Sequence, residues 1–326
     1  MSILLVETSV ISRTELHNTK TGIRILSGHV QLTRVVVDNS SRNCLEIADV
    51  STDFLLKASR FSHCGEAAIS VTSSGLIDID NVTINSGSIG VKVEAVQGHL
   101  SLRDSHIFAM TSSAVDVYYT DYTGAGNLTV ESSAIYDCSS GIQYRSQNYR
   151  SNVRVRVYNN SLTSVESDVL KVTLPPHSSY DQSVDINERR VDVGRNTFDD
   201  VCDISLSTWS NVNMTFHDNT VKNCDCLTSD QCLVTALSQS YSLIDDRVCD
   251  VSTNMFRNNT DQCLVRLKSY RDDITFDGTF LYNQLLENDV TDGVVIIESR
   301  YFTLSQNRFE NPASDFDVKA VTTGKC

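Results

Sequence analysis

A pattern of apolar residues, h-x-h-x-x-x-x-h, in which h is apolar and x is any residue, recurs from end to end of the 326-residue chain. It can be placed at Leu4/Val6/Ile11, Val30/Leu32/Val37, Phe54/Leu56/Phe61, Ile77/Ile79/Ile84, Leu100/Leu102/Ile107, Leu128/Val130/Ile135, Val155/Val157/Leu162, Val191/Val193/Phe198, Met214/Phe216/Val221, Cys249/Val251/Phe256, Ile274/Phe276/Leu281 and Phe302/Leu304/Phe309. The chain is 40% hydrophobic, yet every slot is apolar if Cys249 is counted, so chance alignment does not explain the pattern. The repeat predicts a solenoid, in which each coil packs on the next.

A second alternating run follows most of these phrases, as at Ile69/Val71, Val115/Val117 and Leu170/Val172. Period-two alternation points one side chain inward and the next outward. Strands this short can bury their inward face only against the coils above and below. We therefore predict an all-β fold, a right-handed parallel β-helix solenoid of about 12 three-strand coils.

Glycine and asparagine recur at fixed places in the coils. Four glycines directly precede the third strand, where we expect a positive φ angle: Gly22, Gly90, Gly141 and Gly293. Five asparagines fall three residues after the second apolar slot: Asn160, Asn196, Asn219, Asn254 and Asn307. In neighbouring coils these asparagines would stack and bond to backbone groups of the turn, so we interpret them as structural.

The repeat crosses the middle of the chain without a linker. We therefore expect one elongated β-helix domain over residues 1–322, followed by a tail at 323–326. Both ends fall inside the repeat, and open solenoid ends are edges prone to pair with other strands. We accordingly expect the sequence to be a fragment of a longer β-helix.

The net charge of −14 is unfavourable for nucleic-acid binding, which needs clustered lysine and arginine. No apolar stretch approaches the roughly 20 residues of a membrane span. The first ten residues also lack the basic start and long apolar core of a signal peptide. We expect no nucleic-acid partner and no membrane insertion by this segment.

Ten cysteines suggest an oxidising compartment, and six of them lie between Cys202 and Cys263. Asp-Gln-Cys-Leu-Val occurs at 230–234 and again one coil later at 261–265, so Cys232 and Cys263 should stack within disulfide distance. Pairing of Cys226 with Cys232, or free cysteines packed in the core, are the alternatives. A zinc site at Cys224, Cys226 and Cys232 would lack the usual C-x₂-C pair, so we predict no metal.

Six N-x-S/T sequons are candidates for glycosylation: Asn39, Asn81, Asn127, Asn159, Asn213 and Asn258. Asparagine, serine and threonine are so abundant here that the sequons permit secretion without demonstrating it. Together with the cysteines they favour an extracellular protein or the ectodomain of a membrane protein.

Polysaccharide hydrolysis on a β-helix needs converging carboxylates, a histidine and a basic pair. Fragments of that set occur at Asn196-Thr197, Asp199-Asp200 and Arg266-Leu267-Lys268. Asn196 belongs to the turn series, however, and Asp199 follows an inward Phe198. We therefore predict no catalytic residue and no cofactor.

The connection after the third strand lengthens after Val117, Tyr144, Val172 and Ala236. The first three of these stretches carry aromatic and polar residues of the kind enriched at recognition surfaces: Tyr118, Tyr119, Tyr122, Tyr149, His177 and Tyr180. We predict that they bind a protein or a glycan. The alternative is that the tyrosines only cover the apolar stems of the loops.

The second half of the chain resembles animal pectin-lyase-fold repeats. The resemblance lies in Gly194-Arg195-Asn196-Thr197-Phe198, Asn254-Met255-Phe256, Asn307-Arg308-Phe309 and the repeated Asp-Gln-Cys-Leu-Val. The tract from Val191 to Pro312 is most similar to the β-helices of the bark beetle (Anakonda) family. That resemblance implies a large single-pass membrane protein with cysteine-rich receptor and lectin-like modules, which organises epithelial junctions. Here the resemblance covers the solenoid alone.

These patterns predict a non-enzymatic extracellular β-helix that acts as a rigid spacer and an adhesion or assembly surface, with epithelial cell–cell junctions as one setting. We expect protein or glycan partners at the cell surface, and the oligomeric state stays open. The main alternative is a carbohydrate-binding or polysaccharide-processing enzyme of pectin-lyase-like fold. A third alternative, an intracellular scaffold, predicts reduced cysteines and unmodified sequons.

Overall fold

The structure, a computed structural model, describes residues 3–5, 9–48, 53–72, 75–120, 126–147, 153–174, 189–208, 212–225, 232–238, 247–269, 276–298, 301–310 and 318–320. The elements in these ranges are β-strands, and the strands pair in parallel. Within the same ranges, no helix is long and apolar enough to cross a membrane.

Twelve strands form one sheet, named sheet I here. They are β2 (Ser9–Ser12), β5 (Val30–Thr33), β8 (Phe54–Lys57), β10 (Leu76–Asp80), β12 (Gly98–Arg103), β15 (Gly126–Glu131), β18 (Arg154–Tyr158), β20 (Arg190–Gly194), β22 (Asn213–His217), β25 (Arg247–Ser252), β28 (Phe276–Leu281) and β31 (Tyr301–Ser305). Each strand pairs with the next of the series, so the chain completes one coil between them. Sheet I therefore holds the first strand of every coil.

The remaining 21 strands form sheet II, which holds the second and third strands of the coils. They are β1 (Ile3–Leu5), β3 (Glu15–Thr19), β4 (Ile23–Ile25), β6 (Val36–Ser40), β7 (Leu45–Ile47), β9 (Arg60–Val71), β11 (Thr83–Ala95), β13 (His106–Met110), β14 (Ser113–Tyr119), β16 (Ala134–Cys138), β17 (Ser140–Ser146), β19 (Ser161–Leu174), β21 (Thr197–Thr208), β23 (Thr220–Lys222), β24 (Val234–Ser238), β26 (Met255–Arg257), β27 (Thr260–Ser269), β29 (Gln284–Leu286), β30 (Asp289–Glu298), β32 (Arg308–Glu310) and β33 (Val318–Ala320). In β9, β11, β19 and β21 the second and third strands of a coil run into one another.

The predicted apolar slots stack in register through the core. Ile107 pairs with Ile84 below and with Ile135 above, and all three side chains are at most 1% exposed. Val115 in the third strand is likewise buried between its neighbours. A parallel pair exposes no edge to water when each strand is covered by the next coil. The predicted all-β parallel β-helix is thus confirmed.

The register of the first coil differs from the predicted one. The inward positions of sheet I are Ser9 and Ile11, which pair with Val30 and Leu32. The predicted first slot, Leu4, lies instead on β1 and is 59% exposed. The short apolar run at the start of the chain belongs to a third strand, β1, which pairs with β4. Its spacing matches that of a first strand by chance.

The eleventh coil also begins four residues later than predicted. Gly278 and Phe280 pair with Cys249 and Val251, and Leu285 fills the third slot. The predicted phrase Ile274/Phe276/Leu281 matched the pattern because the inward position at Gly278 carries no apolar side chain to reveal the true register.

One residue per coil adopts a left-handed backbone directly after its sheet I strand. With φ between 47° and 57°, these residues are Arg13, Arg34, Ala58, Asn81, Asp104, Ser132, Asn159, Arg195, Asp218, Thr253, Tyr282 and Gln306. A second series marks the junction of the second and third strands: Asn18, Asn39, His63, Ser86, Ala109, Asp137, Ser164, Asp200, Asn223, Asn258 and Glu287. A left-handed residue costs about 1–2 kcal/mol unless it is glycine, so the sheet hydrogen bonds on both sides must hold these corners in place.

The predicted stacking of asparagines is confirmed, and it continues through Asn283. Asn196 is representative: its Nδ2 donates to the carbonyl of Val157 at 2.9 Å and to Oδ1 of Asn219 at 3.0 Å. The same Oδ1 accepts the backbone N–H of Asn196 at 2.9 Å. The residues of this ladder are Asn160, Asn196, Asn219, Asn254, Asn283 and Asn307. Asn283 was not predicted because the register of its coil was set too early.

Serine extends the ladder toward the start of the chain. Asn160 Oδ1 accepts the backbone N–H of Ser133 at 2.9 Å, and the Ser133 hydroxyl accepts the backbone N–H of Ser105 at 3.1 Å. Ser105 in turn accepts the backbone N–H of Val82 at 3.1 Å. The hydroxyl satisfies the same buried donor that an asparagine satisfies in the later coils.

A second, shorter ladder lies at the next corner of the coils. Asn259 Nδ2 donates to the carbonyl of Val221 at 3.1 Å and to Oδ1 of Asn288 at 2.9 Å. Its own Oδ1 accepts the backbone N–H of Cys224 at 3.0 Å. Both asparagines are at most 1% exposed, so these bonds replace water around buried backbone groups.

Three of the four glycines before the third strand serve a different purpose from the predicted one. Only Gly293 has a positive φ, of 127°. A Cβ at Gly90 would lie 2.4 Å from the carbonyl oxygen of Ala114, and one at Gly141 would lie 2.2 Å from that of Val169. Gly22 meets Cys44 in the same way. These positions require glycine because the next coil approaches the backbone directly.

Two disulfides whose cysteines both lie in the described ranges join residues of neighbouring coils. Cys232 bonds to Cys263, as the repeated phrase predicted, with a Cα–Cα distance of 4.6 Å. Cys44 bonds to Cys64, with a Cα–Cα distance of 5.6 Å, which the sequence analysis did not anticipate. The competing pairing of Cys226 with Cys232 is thereby excluded. Cys202 is disulfide-bonded as well.

Three cysteines within the described residues are free and buried: Cys138, Cys224 and Cys249. Burial raises the thiol pKa of Cys138 to about 11 and those of Cys224 and Cys249 to about 12. A protonated, buried thiol is a weak nucleophile and a poor metal ligand. These three residues act as small core side chains, which was the alternative role considered from the sequence.

Replacing Asn219 with alanine should destabilise the protein by about 2–4 kcal/mol, because it leaves several buried backbone and amide groups without partners. Urea unfolding followed by circular dichroism measures the loss. Asn213→Ala, which removes a half-buried, outward-facing asparagine at the first position of β22, is the matched control and should change stability by less than about 0.5 kcal/mol. Equal effects of the two substitutions would contradict the ladder.

The free thiols should resist alkylation in the folded protein. We expect iodoacetamide at neutral pH to label the peptides of Cys138, Cys224 and Cys249 only after denaturation, because their raised pKa values and burial leave almost no accessible thiolate. Peptide mass spectrometry of labelled, unreduced protein makes the comparison. Rapid labelling of any of the three under native conditions would show that its coil opens.

Candidate binding surface

Of the predicted recognition residues, one lies in the core, one points outward, and the other four lie outside the described residues. Tyr119 is 1% exposed, and its hydroxyl donates to the carbonyl of Asn127 at 3.2 Å. It cannot contact a partner, so its prediction as a binding residue was wrong: strand β14 runs two residues further than expected, to Tyr119, and turns this side chain inward. The predicted residues Tyr122, Tyr149, His177 and Tyr180 lie outside the described residues.

Tyr118, the neighbour of Tyr119, points outward from the third strand of its coil. The guanidinium of Arg145 lies 5.5 Å from its ring centroid, and Gln147 donates a hydrogen bond to its hydroxyl. Arg145 also pairs with Asp116 at 3.0 Å. The Tyr118 side chain is therefore half-buried and held in place: its ring face contacts the Arg145 cation, and its hydroxyl is hydrogen-bonded.

A pair of aromatic rings lies on the outer side of the second strands. Phe108 on β13 and Tyr136 on β16 stack with their centroids 4.7 Å apart and their planes 4° from parallel. Both side chains are half-buried. Outward aromatic pairs one coil apart add to the stability of the stack and form a flat apolar patch.

An interconnected polar group lies on the outer side of sheet I and its following turns, and we call it the His217 cluster: Tyr158, Asp192, Arg195, His217 and Asp218. His217 Nε2 lies 3.0 Å from Oδ1 of Asp192, and its Nδ1 lies 3.1 Å from Oδ2 of Asp218. A neutral imidazole can donate only one hydrogen bond, whereas the imidazolium donates to both carboxylates. The ring is thus held between the two carboxylates.

Asp218 is the better-held of the two carboxylates. Hydrogen bonds from the Thr253 hydroxyl, first, and from His217 lower the pKa of Asp218 below its ordinary value. Arg195 Nε lies 3.9 Å from the same carboxylate. Asp192 accepts a further hydrogen bond from the Thr215 hydroxyl at 2.9 Å. Both acids therefore accept hydrogen bonds from neighbouring side chains.

Tyr158 forms the aromatic floor of the cluster. Its ring has the guanidinium of Arg156 at 4.6 Å and that of Arg195 at 5.3 Å, and the His217 ring lies 6.2 Å away. Gly194 makes this arrangement possible, because a Cβ there would stand 2.6 Å from His217 Nε2 and 3.0 Å from the Tyr158 ring. The cluster combines an aromatic face, cations and ordered carboxylates, which is a composition suited to binding a polar ligand.

Sequence reasoning did not find this cluster. Its members occupy outward positions of β18, β20 and β22 and the turns that follow, and they are separated by roughly one coil each. The available signal was the alternation itself: once Val191/Val193 and Met214/Phe216 are inward, Asp192 and His217 must be outward and close in register.

The fragments that imitate catalytic motifs are each engaged with neighbouring coils. Asp199 pairs with Lys222 at 3.0 Å and accepts from Asn223 at 2.8 Å. Asn196 is 1% exposed in the ladder. The basic pair Arg266 and Lys268 lies at 3.6 Å and 2.7 Å from Glu298.

Metal-ligating side chains do not converge in the described ranges, where no group of three or more His, Cys, Asp or Glu could hold a metal ion. Cys232 is consumed by its disulfide, and Cys224 is buried and protonated. Neither Cys224 nor Cys232 is therefore available as a ligand for the zinc site considered from the sequence.

The six sequons divide into two structural classes. Asn39, Asn81, Asn159 and Asn258 are exposed corner residues with φ between 54° and 56°. Asn127 and Asn213 lie on strands of sheet I and are half-buried. The corner asparagines are the more exposed of the two classes, so they are the more accessible acceptors for a glycan.

Gly194→Ala should lower stability by about 1–3 kcal/mol, because the added methyl group displaces the His217 ring from its carboxylates. In a protein that already carries His217→Ala, the same change should cost much less. A double-mutant cycle measured by thermal or urea unfolding gives the coupling energy. A cost of Gly194→Ala that is unchanged by removal of His217 would show that the ring does not depend on this space.

Residues 21–173 match the family model described as a right handed beta helix region. No curated protein and no solved structure matches the chain. The matched stretch ends in β19, and the stacking of strands continues from there in the same order to β33. The chain is therefore an all-β, right-handed parallel β-helix.

Proposed function

We propose that the chain is a non-enzymatic, extracellular β-helix that acts as a rigid spacer and presents an adhesion or assembly surface. The observation that carries the proposal is the pairing of outward carboxylates with cations of adjacent coils. Arg103 binds Asp78 with both contacts at 2.9 Å, and Arg145 binds Asp116 at 3.0 Å. Catalytic carboxylates need free oxygens that face a substrate, whereas these oxygens are used to hold one coil to the next.

Rigidity follows from the number of independent links between coils. Backbone pairing, the asparagine ladder and the Cys232–Cys263 disulfide act together across the same coils near the end of the chain. The Cys44–Cys64 disulfide does the same near the start. Such a rod bends little and keeps its two ends at a fixed separation, which is the requirement for a spacer.

An oxidising environment supports the extracellular part of the proposal. Disulfides persist outside the cytosol, where thiols are not kept reduced. Four of the six sequons stand at exposed corners of the coils. The likeness of Val191–Pro312 to the bark beetle family extends the proposal to epithelial cell–cell junctions.

The side chains that we propose for adhesion are outward aromatic residues: Phe108 and Tyr136 on second strands, Tyr118 on a third strand and Tyr158 on sheet I. Aromatic side chains carry much of the energy of protein interfaces, because they bury a large area and lose little conformational freedom. Each of these rings is already fixed by a neighbour, through a ring stack or an arginine. Pre-ordered side chains lower the entropic cost of binding.

The second candidate function is a carbohydrate-binding or carbohydrate-processing role for the His217 cluster. The observation in its favour is the histidine held between Asp192 and Asp218 next to the Tyr158 ring. A histidine in that setting could pass a proton to a leaving oxygen. Release of new reducing ends from a polysaccharide by the wild type, abolished by Asp192→Asn, would favour this candidate over the adhesive one.

Beads coated with the full chain, secreted from eukaryotic cells behind a supplied signal peptide, should be retained on cultured epithelial layers. Tyr118→Ala combined with Tyr136→Ala should reduce retention by about tenfold, since truncation of a central aromatic often costs 1–2 kcal/mol or more. The matched control is Tyr282→Ala, at a tyrosine that is 56% exposed at a corner far along the chain. Bead counts after washing give the readout.

Two results would contradict the proposed function. Wild-type beads that are washed away as readily as uncoated beads would remove the adhesive role. Secreted protein whose sequons are unoccupied and whose cysteines are reduced would remove the extracellular one. Circular dichroism of each variant separates loss of binding from loss of fold.

A further inference from the structure

Three arginines that are distant in sequence lie together in one groove of the first coils. Arg13 and Arg34 are corner residues of consecutive coils, and Arg60 begins β9 in the third coil. They line a groove of about 590 Å³ with six other residues: Glu15, Val36, Ala58, Ser59, Asn81 and Thr83. The groove runs across coils, beside the turn that joins sheet I to the second strands.

The coil register fixes the spacing of these arginines. The backbone N–H of Arg13 donates to Thr33 at 3.1 Å, and that of Arg34 donates to Lys57 at 3.0 Å. Arg60 pairs in register with Val36 on the neighbouring strand. The three arginines therefore lie on successive coils, Arg13 and Arg34 at the same corner and Arg60 two residues after the corner residue of its coil.

These arginines differ from most others in the described part of the chain in having no carboxylate partner. Cross-coil or local ion pairs are made by Arg24, Arg42, Arg103, Arg145, Arg156, Arg190, Arg195, Arg257, Arg266 and Arg308. Arg13, Arg34 and Arg60 have no ion pair with any residue of the described ranges. Three unneutralised cations in one groove are unusual in a chain whose net charge is −14.

The charged lining of the groove consists of the three arginines and Glu15, which gives a local charge of +2. Glu15 is largely exposed, and its Oε2 lies 3.9 Å from Nε2 of His17. His17 does not line the groove. The neutral walls are short side chains that leave the guanidinium forks open. A planar guanidinium binds sulfate, phosphate or carboxylate oxygens with two parallel hydrogen bonds.

We infer that this groove binds a linear, sulfated polysaccharide, with successive sulfate groups on Arg13, Arg34 and Arg60. A polymer with regularly repeated anionic groups matches cations that repeat along a rod. Single-stranded nucleic acid fits this groove less well, because its binding relies on aromatic side chains that stack on the bases, and the groove lining contains none. The choice of a sulfated glycan rests on the extracellular part of the proposed function, whereas the anion-binding groove does not.

Asn81 connects the groove to glycosylation. Its side chain lines the groove at the fourth coil, and it is the acceptor of a sequon that includes Thr83. A glycan on Asn81 would cover one end of the site. The variants are therefore compared in an Asn81→Gly background, because glycine adopts the φ of 54° that this corner requires.

The test measures the affinity of the full chain for heparin, which serves as the sulfated probe, by isothermal titration or biolayer interferometry. Replacing Arg13, Arg34 and Arg60 together with glutamine should weaken binding by roughly tenfold to a hundredfold, since each exposed ionic contact contributes a modest amount. The matched control replaces three exposed arginines that are already paired, Arg24, Arg42 and Arg257. It removes the same charge and should weaken binding by less than about threefold.

Several outcomes would overturn the inference. Equal losses in the two triple variants would mean that only the overall charge matters. Absence of heparin binding by the wild type would remove the site. Equally tight binding of desulfated heparin, of phosphatidylserine vesicles or of single-stranded DNA would assign the groove to a different ligand. Glu15→Gln, by contrast, should tighten heparin binding, and unchanged or weaker binding would count against the groove.

The groove and the adhesive surface fail separately. If coated beads adhere to cells but heparin does not bind, the groove is wrong and the proposed function stands. If heparin binds but beads do not adhere, the groove stands and the proposed function is lost. Circular dichroism and thermal unfolding of both triple variants show whether the first coils are intact.

Discussion

The structure depends on the parallel hydrogen bonding of each coil to the next. Because the inward face of one coil can be covered only by its neighbours, the strands must stack in strict register, and each corner must turn in the same way. The left-handed residue after every sheet I strand gives each of those corners the same backbone conformation. Residues about one coil apart in sequence consequently become nearest neighbours in space.

Register then determines which polar groups can be buried. A corner donor that is covered by the next coil needs an acceptor one coil away, and Asn196, Asn219 and Asn254 supply it in turn. Each amide is both donor and acceptor, so the ladder can continue without an unsatisfied group in its interior. Serine can end or extend such a ladder, as Ser133 and Ser105 do, but its single donor does not allow the same four bonds.

The apolar and ladder positions could be predicted from the sequence because their requirement repeats in every coil. In the eleventh coil, Gly278 occupies an inward position without an apolar side chain, and Ile274 and Phe276 match the repeat by chance. The predicted register of that coil was therefore four residues too early, and Asn283 was not recognised as a ladder residue. Tyr119 was misplaced because nothing in the alternation shows where a strand stops. The His217 cluster and the three arginines occupy outward positions, where no core constrains residue type, and only the register between coils shows that they meet.

Outward positions can vary at little cost to stability, since the core and ladders carry the fold without them. This separation explains how one uniform rod presents a histidine held by two acids, stacked aromatic rings and an unneutralised arginine groove on different coils. The contrast among arginines is the most informative consequence. Where Arg103 or Arg145 faces a carboxylate one coil away, its charge strengthens the stack. Where Arg13, Arg34 and Arg60 face none, that charge does nothing for the fold, and a bound anion is the partner that would satisfy it.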